Sequence, residues 1–355
     1  MKKNLLVLAV CITALANTAL AHVWRVNNNA AKNPDFSSIS AAIAAAADGD
    51  TIHIEPSPTA YTGSVIVNKK LVILGNGYFL GAAGLQANQD SSIVNSVVID
   101  STSVGANGSG SVISGLTILG ITSFIHNVRN VILTRCLFFG EILFNAYDKD
   151  VDGLRINQSF ITGVVTNGAF TGNINVSFEN NIFSATTGFS LAPITLDAHV
   201  GGLFRNNTVN VHLVLFTLSG FYIANNVFIG QSLTDIQAQD NIVRNNIFES
   251  TLVNGITNTN GNMLGVNLTP LFTGDFNNGH GDTRFQTTAG LLRGSGETIG
   301  GITPDVGAYN TVAATDSYRS SGIPAVPTVY ALTAPTNVLP TATTMNITVS
   351  TRSNN

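Results

Sequence analysis

The residues that could bind a metal ion lie in one short acidic segment. Asp148, Asp150 and Asp152 occupy alternate positions and are followed by a glycine. Carboxylates spaced in this way can wrap oxygen ligands around Ca²⁺ while the glycine turns the backbone. An EF-hand loop also needs a glutamate at its twelfth position, where this chain has Ser159, and a helix after it. The segment therefore predicts either a calcium-binding turn of another kind or a solvated acidic turn in which Lys149 offsets some charge.

A second candidate group consists of the residues that precede four Asn-Asn pairs. In chain order these residues are Glu179, Arg205, Ala224 and Arg244. If the pairs stack one coil above the next, the four residues form one column, with Arg205 about 5 Å from Glu179. The column predicts either an ordinary surface ion pair, worth under about 1 kcal/mol, or a subsite for an anionic sugar.

A repeat from Gly110 to Ser250 has to position these residues. Each phrase of the repeat is an apolar, β-branched run followed by a polar pair and an apolar pair, and the four Asn-Asn pairs begin 26, 19 and 20 residues apart. A period near 20 leaves no room for a strand, a full helix and both connections, so each coil must consist of short strands. The sequence therefore predicts an all-β chain folded as a single parallel β-helix, which the crossover rule makes right-handed.

The same repeat predicts ladders of equivalent side chains. The asparagines should stack at a corner, because their amides bond to one another and tolerate the left-handed backbone of a sharp turn. One residue of each apolar pair should point into the coil, so that these residues form an interior column. The column should contain Ile118, Phe138, Phe160, Phe183, Phe228 and Phe248, with Val209 in the fifth coil.

A short N-terminal helix is predicted to cap the stack. Ile39, Ala42, Ile43 and Ala46 fall on one face of a helix over about 38–47, and Ser37 is a suitable N-cap. Such a helix covers the open end of a coil stack, which otherwise exposes core side chains and unpaired strand edges.

Two stretches carry a family resemblance. FSSISAAIAAAADGDTIHIEP, with VIVNKKLVILGNGY after it, resembles the N-terminal cap and first coils of the pectin-lyase-like right-handed parallel β-helix superfamily. DTRFQTTAGLLRGSGETIGGITPDVGAYN is similar to the closing segment of secreted bacterial members, with Leu291-Leu292-Arg293 where Ser-Pro-Ala is usual, and the C-terminal tail resembles uncharacterised Bacteroidetes-type members. The resemblance covers nearly the whole mature chain and implies the fold. It does not select an activity, because this superfamily includes lyases, hydrolases, adhesins and scaffolds.

The resemblance also implies what a catalytic site would need. A lyase of this superfamily uses a Lys or Arg to remove the proton next to a uronate carboxyl, and a cation, often Ca²⁺, to stabilise the enolate. Arg205 and Arg244, with Glu179 beside them, are the candidates, although the sequence shows no complete catalytic set. A lyase is favoured over a glycoside hydrolase, since no two adjacent coils supply a pair of carboxylates. No cofactor is required, and Ca²⁺ is the one candidate.

The first 21 residues predict export. Lys2 and Lys3 precede an apolar run, and Ala19-Leu20-Ala21 forms a small-residue cleavage site, so we expect a secretory signal peptide cleaved after Ala21 and a secreted or cell-surface protein. The apolar run is too short to remain as a membrane span. Removing the two lysines leaves 14 basic and 20 acidic side chains. This balance argues against a nucleic-acid partner, which requires a basic surface.

The predicted domain organisation has three parts. These are the signal peptide (1–21), the parallel β-helix (22–310) and a Pro/Thr-rich C-terminal tail (311–355). The tail contains two possible strands, Val329–Leu332 and Met345–Val349, which are expected to pack on the last coils; the alternative is a flexible tail. The mature chain keeps one cysteine, Cys136, so no internal disulfide can form and stability has to come from stacking.

Three functions are compatible with the sequence. The first is an exported protein that binds a polysaccharide or a cell-surface partner along the coil without catalysis. The second is a lyase that acts on an acidic, uronate-containing glycan, and the third is a structural or adhesive surface module. The lyase hypothesis requires the arginines and the acidic segment to share one groove. Aromatic side chains exposed on the outer faces would favour sugar binding, and their absence there would favour the structural module.

Overall fold

The fold is a right-handed parallel β-helix whose coils each contribute short strands to three faces. This computed structural model describes residues 21–81, 85–101, 107–144, 150–166, 173–184, 194–196, 200–210, 216–230, 240–253, 255–274, 282–287, 290–309, 317–337 and 343–354. The fold class predicted from the repeat is confirmed. Within these ranges no helix is both long enough and apolar enough to cross a lipid bilayer.

The first face is a parallel sheet that begins at the N-terminal end of the stack. Its strands, in order, are β1 (Val23–Val26), β2 (Thr51–Ile54), β4 (Val72–Leu74), β6 (Val112–Ser114), β10 (Ile132–Thr134), β13 (Val151–Asn157), β16 (Ile174–Glu179), β19 (Val200–Arg205), β22 (Phe221–Ala224) and β24 (Ile242–Arg244). A short strand, β9 (Val128–Arg129), pairs with the start of β13.

The second and third faces share one long strand, β5 (Ser92–Asp100). The second face continues from its first half through β7 (Leu116–Ile118), β11 (Leu137–Phe138), β14 (Phe160–Ile161), β17 (Ile182–Ser184), β20 (Thr208–Asn210), β23 (Val227–Ile229) and β25 (Ile247–Phe248). The third face pairs its second half with β3 (Tyr61–Val67) and β8 (Thr122–Ile125), and continues through β12 (Ile142–Leu143), β15 (Val165–Thr166), β18 (Ile194–Leu196) and β21 (Phe216–Leu218).

One α-helix, α1 (Ile39–Ala45), lies at the N-terminal end of the stack. Its buried face consists of Ile39, Ala42 and Ile43, as the apolar spacing predicts. The N-cap is Ser38, one residue beyond the predicted Ser37, because the Ser38 side chain accepts a hydrogen bond from the Ala41 amide. The described residues also contain short 3-10 helices at Ala30–Lys32, Thr269–Leu271, Thr283–Phe285, Gly290–Leu292 and Ser320–Gly322.

The second asparagine of each pair forms a buried ladder inside the corner between the first and second faces. The Asn181 amide donates to Asn207 Oδ1 at 2.9 Å, that of Asn207 to Asn226 Oδ1 at 2.8 Å, and that of Asn226 to Asn246 Oδ1 at 2.9 Å. Each side-chain amide also donates to a carbonyl of the coil, as Asn226 Nδ2 does to the Phe204 carbonyl at 2.7 Å. Asn262 extends the ladder by one coil, although its phrase lacks an Asn-Asn pair.

The interior column differs from the prediction at one coil. Phe160 pairs with Leu137 and Ile182 on the outer side of the second face, and the interior position belongs to Ile161, the partner of Phe183. The prediction was wrong there because it aligned Asn157 of this coil with Asn180, whereas the residues equivalent to Asn180-Asn181 are Gln158-Ser159, one position later. The remaining interior residues lie as predicted: Ile118, Phe138, Phe183, Val209, Phe228 and Phe248.

A C-terminal strap (residues 290–309 and 317–324) covers the corner from outside and runs back along the stack. Ser295 lies beside the late corner residue Asn245, and the Ile323 carbonyl accepts a hydrogen bond from the early corner residue Arg135 at 2.9 Å. The outward side chains of the second face form a second apolar core with this strap and the residues before it: Leu137, Phe160, Ile182, Val227, Ile229 and Ile247 against Leu268, Phe272, Phe285, Leu292, Val306, Ala308 and Tyr318.

The last two strands form an antiparallel hairpin, β26 (Thr328–Thr333) with β27 (Thr348–Arg352). The expectation that they pack on the last coils was wrong. The Val329 carbonyl accepts a hydrogen bond from the Ala87 amide at 2.9 Å, and Arg352 donates to the Leu85 carbonyl at 2.7 Å. The strap has already returned the chain to the early coils, so the hairpin lies beside them.

Candidate functional site

The candidate column of charged residues lies on the outer surface of the first face. Glu179, Arg205, Ala224 and Arg244 are successive partners in the parallel register of β16, β19, β22 and β24. They directly precede the corner, so their side chains alternate with the buried strand residues and point outward. The strand register thus brings three residues together that lie as much as 65 positions apart in the sequence.

Glu179 is the centre of an ion-pair cluster. Its Oε2 atom lies 2.7 Å from both Nε and Nη2 of Arg205, and its Oε1 atom lies 3.6 Å from Nη2 of Arg155. The Glu179 side chain is 10% exposed, whereas those of Arg205 and Arg155 are 38% and 51% exposed. The carboxylate therefore fixes the inner edges of two guanidinium groups and leaves their outer edges open to solvent. Sequence reasoning missed Arg155, although its alternation with the buried Leu154 and Ile156 was the available signal.

Arg244 meets a carboxylate that the sequence did not place near it. Glu297, from the strap, accepts a hydrogen bond from Arg244 Nη1 at 2.9 Å and another from the Tyr222 hydroxyl. Its backbone amide is held by Asn225 Oδ1 at 2.7 Å, which brings the strap onto the edge of the first face. The hydrogen bond that Arg244 donates to Tyr222, followed by the charge of Glu297, raises the pKa of Arg244. This guanidinium is therefore a cation and not a proton acceptor.

Tyr222 is the aromatic side chain of this surface. It is the register partner of Leu203 and Ile242 in the neighbouring strands. The same column also contains Arg155 and Ser177. The side chain is partly exposed, and burial, followed by the hydrogen bond to Glu297, raises its pKa. The phenol therefore remains protonated and offers a ring surface beside the arginines.

The described acidic candidates lie on the same outer surface. Asp152 is part of β13, where it pairs with Arg129 and Asn175, and Asn175 Nδ2 donates to Asp152 Oδ1 at 3.0 Å. Asp150 Oδ1 accepts hydrogen bonds from the backbone amide of Asn173 at 3.1 Å and from its side chain at 3.4 Å. Asp148 lies outside the described residues.

Neither described carboxylate is arranged as a calcium ligand. A Ca²⁺ site needs six to eight oxygen atoms that converge on one point. Here Asp150 and Asp152 each bind an N–H donor of the following coil, and the described part of the chain contains no group of three or more His, Cys, Asp or Glu suited to a metal ion. The contacts described for Asp150 and Asp152 are thus with nitrogen donors, calcium binding at this segment stays a prediction, and no chemical step is assigned to it.

The outer surface of the first face is thus a row of guanidinium groups with hydrogen-bonding neighbours. We call the outward-facing side chains of Arg155, Glu179, Arg205, Tyr222 and Arg244 the arginine row. Guanidinium groups present several N–H donors in a planar fork that matches carboxylates. The row can bind carboxylate and hydroxyl groups of a ligand, but among the described residues it has no group set up to remove a proton.

Comparison with known proteins gives a structural match but no match to a family model or a curated protein. No family model matches the chain, and no curated protein matches it. The crystal structure of pectate lyase Pel9A matches with a TM-score of 0.30 and 14% identity, over 82% of this chain and 97% of that chain. The strand pairing by itself shows that the fold is a parallel β-helix.

Proposed function

We propose that this is an exported protein that binds an acidic polysaccharide along the arginine row. The observation that carries the proposal is the stacking of half-exposed Arg155, Arg205 and Arg244 on one flat face, in a chain whose net charge is −4. The three arginines lie on every second strand of the first face (β13, β19 and β24), so at a strand spacing of about 4.8 Å they recur about 10 Å apart along the stack. A linear, extended glycan that carries carboxylates at intervals can contact several of them at once.

Binding without catalysis is the function that the chemistry of the row favours. Each guanidinium contacts a carboxylate, and the raised pKa of Arg244 disfavours it as a base. An elimination reaction would need a neutral group that takes up a proton in reach of the bound sugar. Tyr222 offers a ring for contact with a sugar, a feature that a purely structural module would not require.

A polysaccharide lyase is the second candidate, favoured by one observation. Asp152 and Arg155 lie in the same strand, and both project from the face that carries Arg205 and Glu179, so acidic and basic groups share one surface. The discriminating measurement is the ultraviolet absorbance of unsaturated products after incubation with acidic polysaccharides, with and without Ca²⁺. Product formation that is lost in Arg205→Gln would establish the lyase and displace the binding-only function.

The binding proposal is tested by removing two guanidinium groups. The double variant Arg155→Gln with Arg205→Gln should weaken binding to polygalacturonate or alginate about tenfold or more, because each 1.4 kcal/mol of lost charge-assisted contact is a factor of ten. Isothermal titration calorimetry at several salt concentrations measures the affinity, and the variant should also show a smaller salt dependence.

The matched control is Arg25→Gln. Arg25 also forms a surface pair with a glutamate, Glu55, at 2.6 Å, but it lies six strands from Glu179 along the first face. A short oligosaccharide should bind Arg25→Gln with unchanged affinity. Equal loss in both variants would show attraction by overall charge and not a site. Absence of binding to every acidic polysaccharide tested would favour the structural or adhesive module.

A further inference from the structure

Asp50, at the start of the stack, is a buried carboxylate whose hydrogen bonds come from backbone amides and an indole N–H. Asp50 is 5% exposed, and its Oδ2 atom accepts hydrogen bonds from Trp24 Nε1 at 3.0 Å and from the Ala47 amide at 2.9 Å. Among the described residues no lysine or arginine forms an ion pair with it. Buried carboxylates are rarely left without a positive partner.

The remaining oxygen of Asp50 faces the backbone nitrogen of His22. The His22 nitrogen donates to Asp50 Oδ1 at 2.8 Å, and the His22 carbonyl accepts from the Thr51 amide at 2.7 Å. The imidazole of His22 packs on Trp24 with ring centroids 4.0 Å apart. Three contacts therefore fix this residue immediately before β1, and the peptide bond on its N-terminal side is the predicted cleavage site of the signal peptide.

We propose that Asp50 binds the α-ammonium group of His22. This group forms when the Ala21–His22 bond is hydrolysed, and its ion pair with Asp50 holds the N-terminal cap on the first coil. The proposal rests on the proposed export. A signal peptidase and water would cleave the peptide bond. The water oxygen goes to the new carboxylate of Ala21, and the His22 nitrogen takes up both protons of the water and becomes an ammonium at neutral pH.

Cleavage changes the chemistry of a contact whose geometry already exists. Before cleavage the His22 nitrogen is a neutral amide with one proton, and afterwards it is a cation with three. A charged donor about 2.8 Å from a carboxylate forms a bond roughly twice as strong as a neutral one. The hydrogen bonds from His22 and Ala47 already lower the pKa of Asp50, so the carboxylate is ionised and ready to accept the ammonium.

The ion pair would stabilise the N-terminal end of the stack. Asp50 joins the N-terminal residue, the Trp24 ring and the end of the segment after α1, so the ion pair ties together β1, β2 and the capping helix. Frayed cap residues would expose the first strand edge of the first face. The cap would therefore be fully stabilised only after the signal peptide has been removed.

The test compares two chains that differ by one residue, one beginning at His22 and the other at Ala21. In the longer chain the His22 nitrogen is an amide, and the new amine lies one residue away. The chain that begins at His22 should melt about 2 °C or more above the other. In the Asp50→Asn background the two should melt together. Equal melting temperatures with Asp50 present would overturn the proposal.

The pH dependence supplies a second readout that does not need the Asp50 variant to fold. An ammonium beside a carboxylate has a raised pKa, so its stabilisation is complete below the ordinary value of about 7.7 and disappears as pH rises through the raised value. The neighbouring titratable groups include Arg25 on β1, His53 on β2, the His22 imidazole, and Asp48, Lys69 and Lys70 in the turns, with Lys69 bound to the carbonyls at the end of α1, while α1 itself has none. They are common to both chains, so the difference isolates the amine. A difference that persisted at high pH would contradict the ion pair.

Two further measurements separate this inference from the function. Mass spectrometry of the exported protein should find His22 as the first residue, and a different first residue would overturn the proposal. The two chains should bind polygalacturonate equally, because Asp50 lies far from the arginine row. Loss of polysaccharide binding in both would refute the proposed function while leaving the melting comparison intact.

Discussion

The two asparagines of each pair have different tasks. The first asparagine adopts the left-handed backbone of the corner, with φ of 55° at Asn180 and 58° at Asn225, and its side chain contacts the strap. The second lies inside the stack and bonds to the equivalent residue of the next coil. One dipeptide therefore attaches the strap on one side and joins the coils on the other.

Removal of one ladder residue should be costly. Asn226→Leu leaves the Asn207 amide without its acceptor and the Phe204 carbonyl without its donor, so unfolding should become easier by about 1–3 kcal/mol. The exposed Asn95→Leu is the matched control and should change stability by less than about 0.5 kcal/mol. Chemical denaturation measures both, and equal stability of the two variants would contradict the ladder.

A buried acid makes stability depend on pH. Asp282 is 1% exposed, and its Oδ2 accepts hydrogen bonds from the Tyr318 hydroxyl at 2.8 Å and from the Ser321 amide at 2.5 Å. Burial raises its pKa, so the folded state favours the protonated form. The associated stability is present below the unfolded pKa of about 3.9 and is lost as pH rises through the folded pKa.

Asp282→Asn should remove this pH dependence. Between about pH 4 and the raised pKa, the wild-type protein should lose stability relative to the variant, which cannot ionise at this position. The exposed Asp240→Asn serves as control and should follow the wild type. Urea denaturation at a series of pH values gives the comparison. A constant difference between wild type and Asp282→Asn across the range would show that the carboxyl does not titrate there.

At the scale of elements, the strap determines which outward residues are buried. Phe160 would face solvent on an uncovered second face, yet it packs against Phe79 at 5.4 Å and Phe285 at 6.4 Å between ring centroids. Phe285 lies more than a hundred residues after Phe160 in the sequence. The strap and the residues before it therefore turn an apolar outer column into a second core.

This packing predicts coupling between two aromatic residues. Phe160→Ala and Phe285→Ala should each destabilise the fold by about 3–5 kcal/mol. Since their rings touch, the double variant should lose less than the sum, with a coupling of about 0.5–3 kcal/mol. Phe183→Ala lies on the interior side of the same face and should combine additively with Phe285→Ala. If the losses of stability in Phe160→Ala and Phe285→Ala simply added in the double variant, Phe160 would lie inside the coil and not against Phe285.

At the scale of the whole molecule, stability comes from stacking and from the strap. Cys136 is buried and unpaired, and burial raises the pKa of its thiol to about 12. The strap contacts both the late corner at Asn245 and the early corner at Arg135, so it links coils that are otherwise in contact only with their neighbours. The stack therefore needs no cross-link to hold distant coils together.

Calcium should have no effect on the stability of the molecule. Ligands that bind only the folded state raise the melting temperature by mass action. Asp150 and Asp152 already bind donors of the next coil, so we expect equal melting temperatures in Ca²⁺ and in EGTA. The variant Asp150→Asn with Asp152→Asn should behave in the same way in both conditions. A calcium-dependent rise that disappears in this variant would show that the acidic turn is a metal site.

The sequence by itself determined the coil. A period near 20, β-branched runs and Asn-Asn pairs require parallel strands with a corner, since repeating positions in a solenoid become neighbours in space. The column of Glu179, Arg205 and Arg244 follows from the same periodicity. The one shifted coil shows the limit of this reasoning, because Asn157-Gln158 and Gln158-Ser159 both resemble a corner pair and only packing selects between them.

The tertiary structure alone decided what surrounds the column. The strap has no period, so nothing in the sequence relates Glu297 to Tyr222 and Arg244, or Phe285 to Phe160. Such contacts arise from a single long return of the chain and depend on the shape of the finished stack. The repeat encodes neighbours one coil apart, such as Glu179 and Arg205, whereas Glu297, the partner of Arg244, comes from a segment outside the repeat.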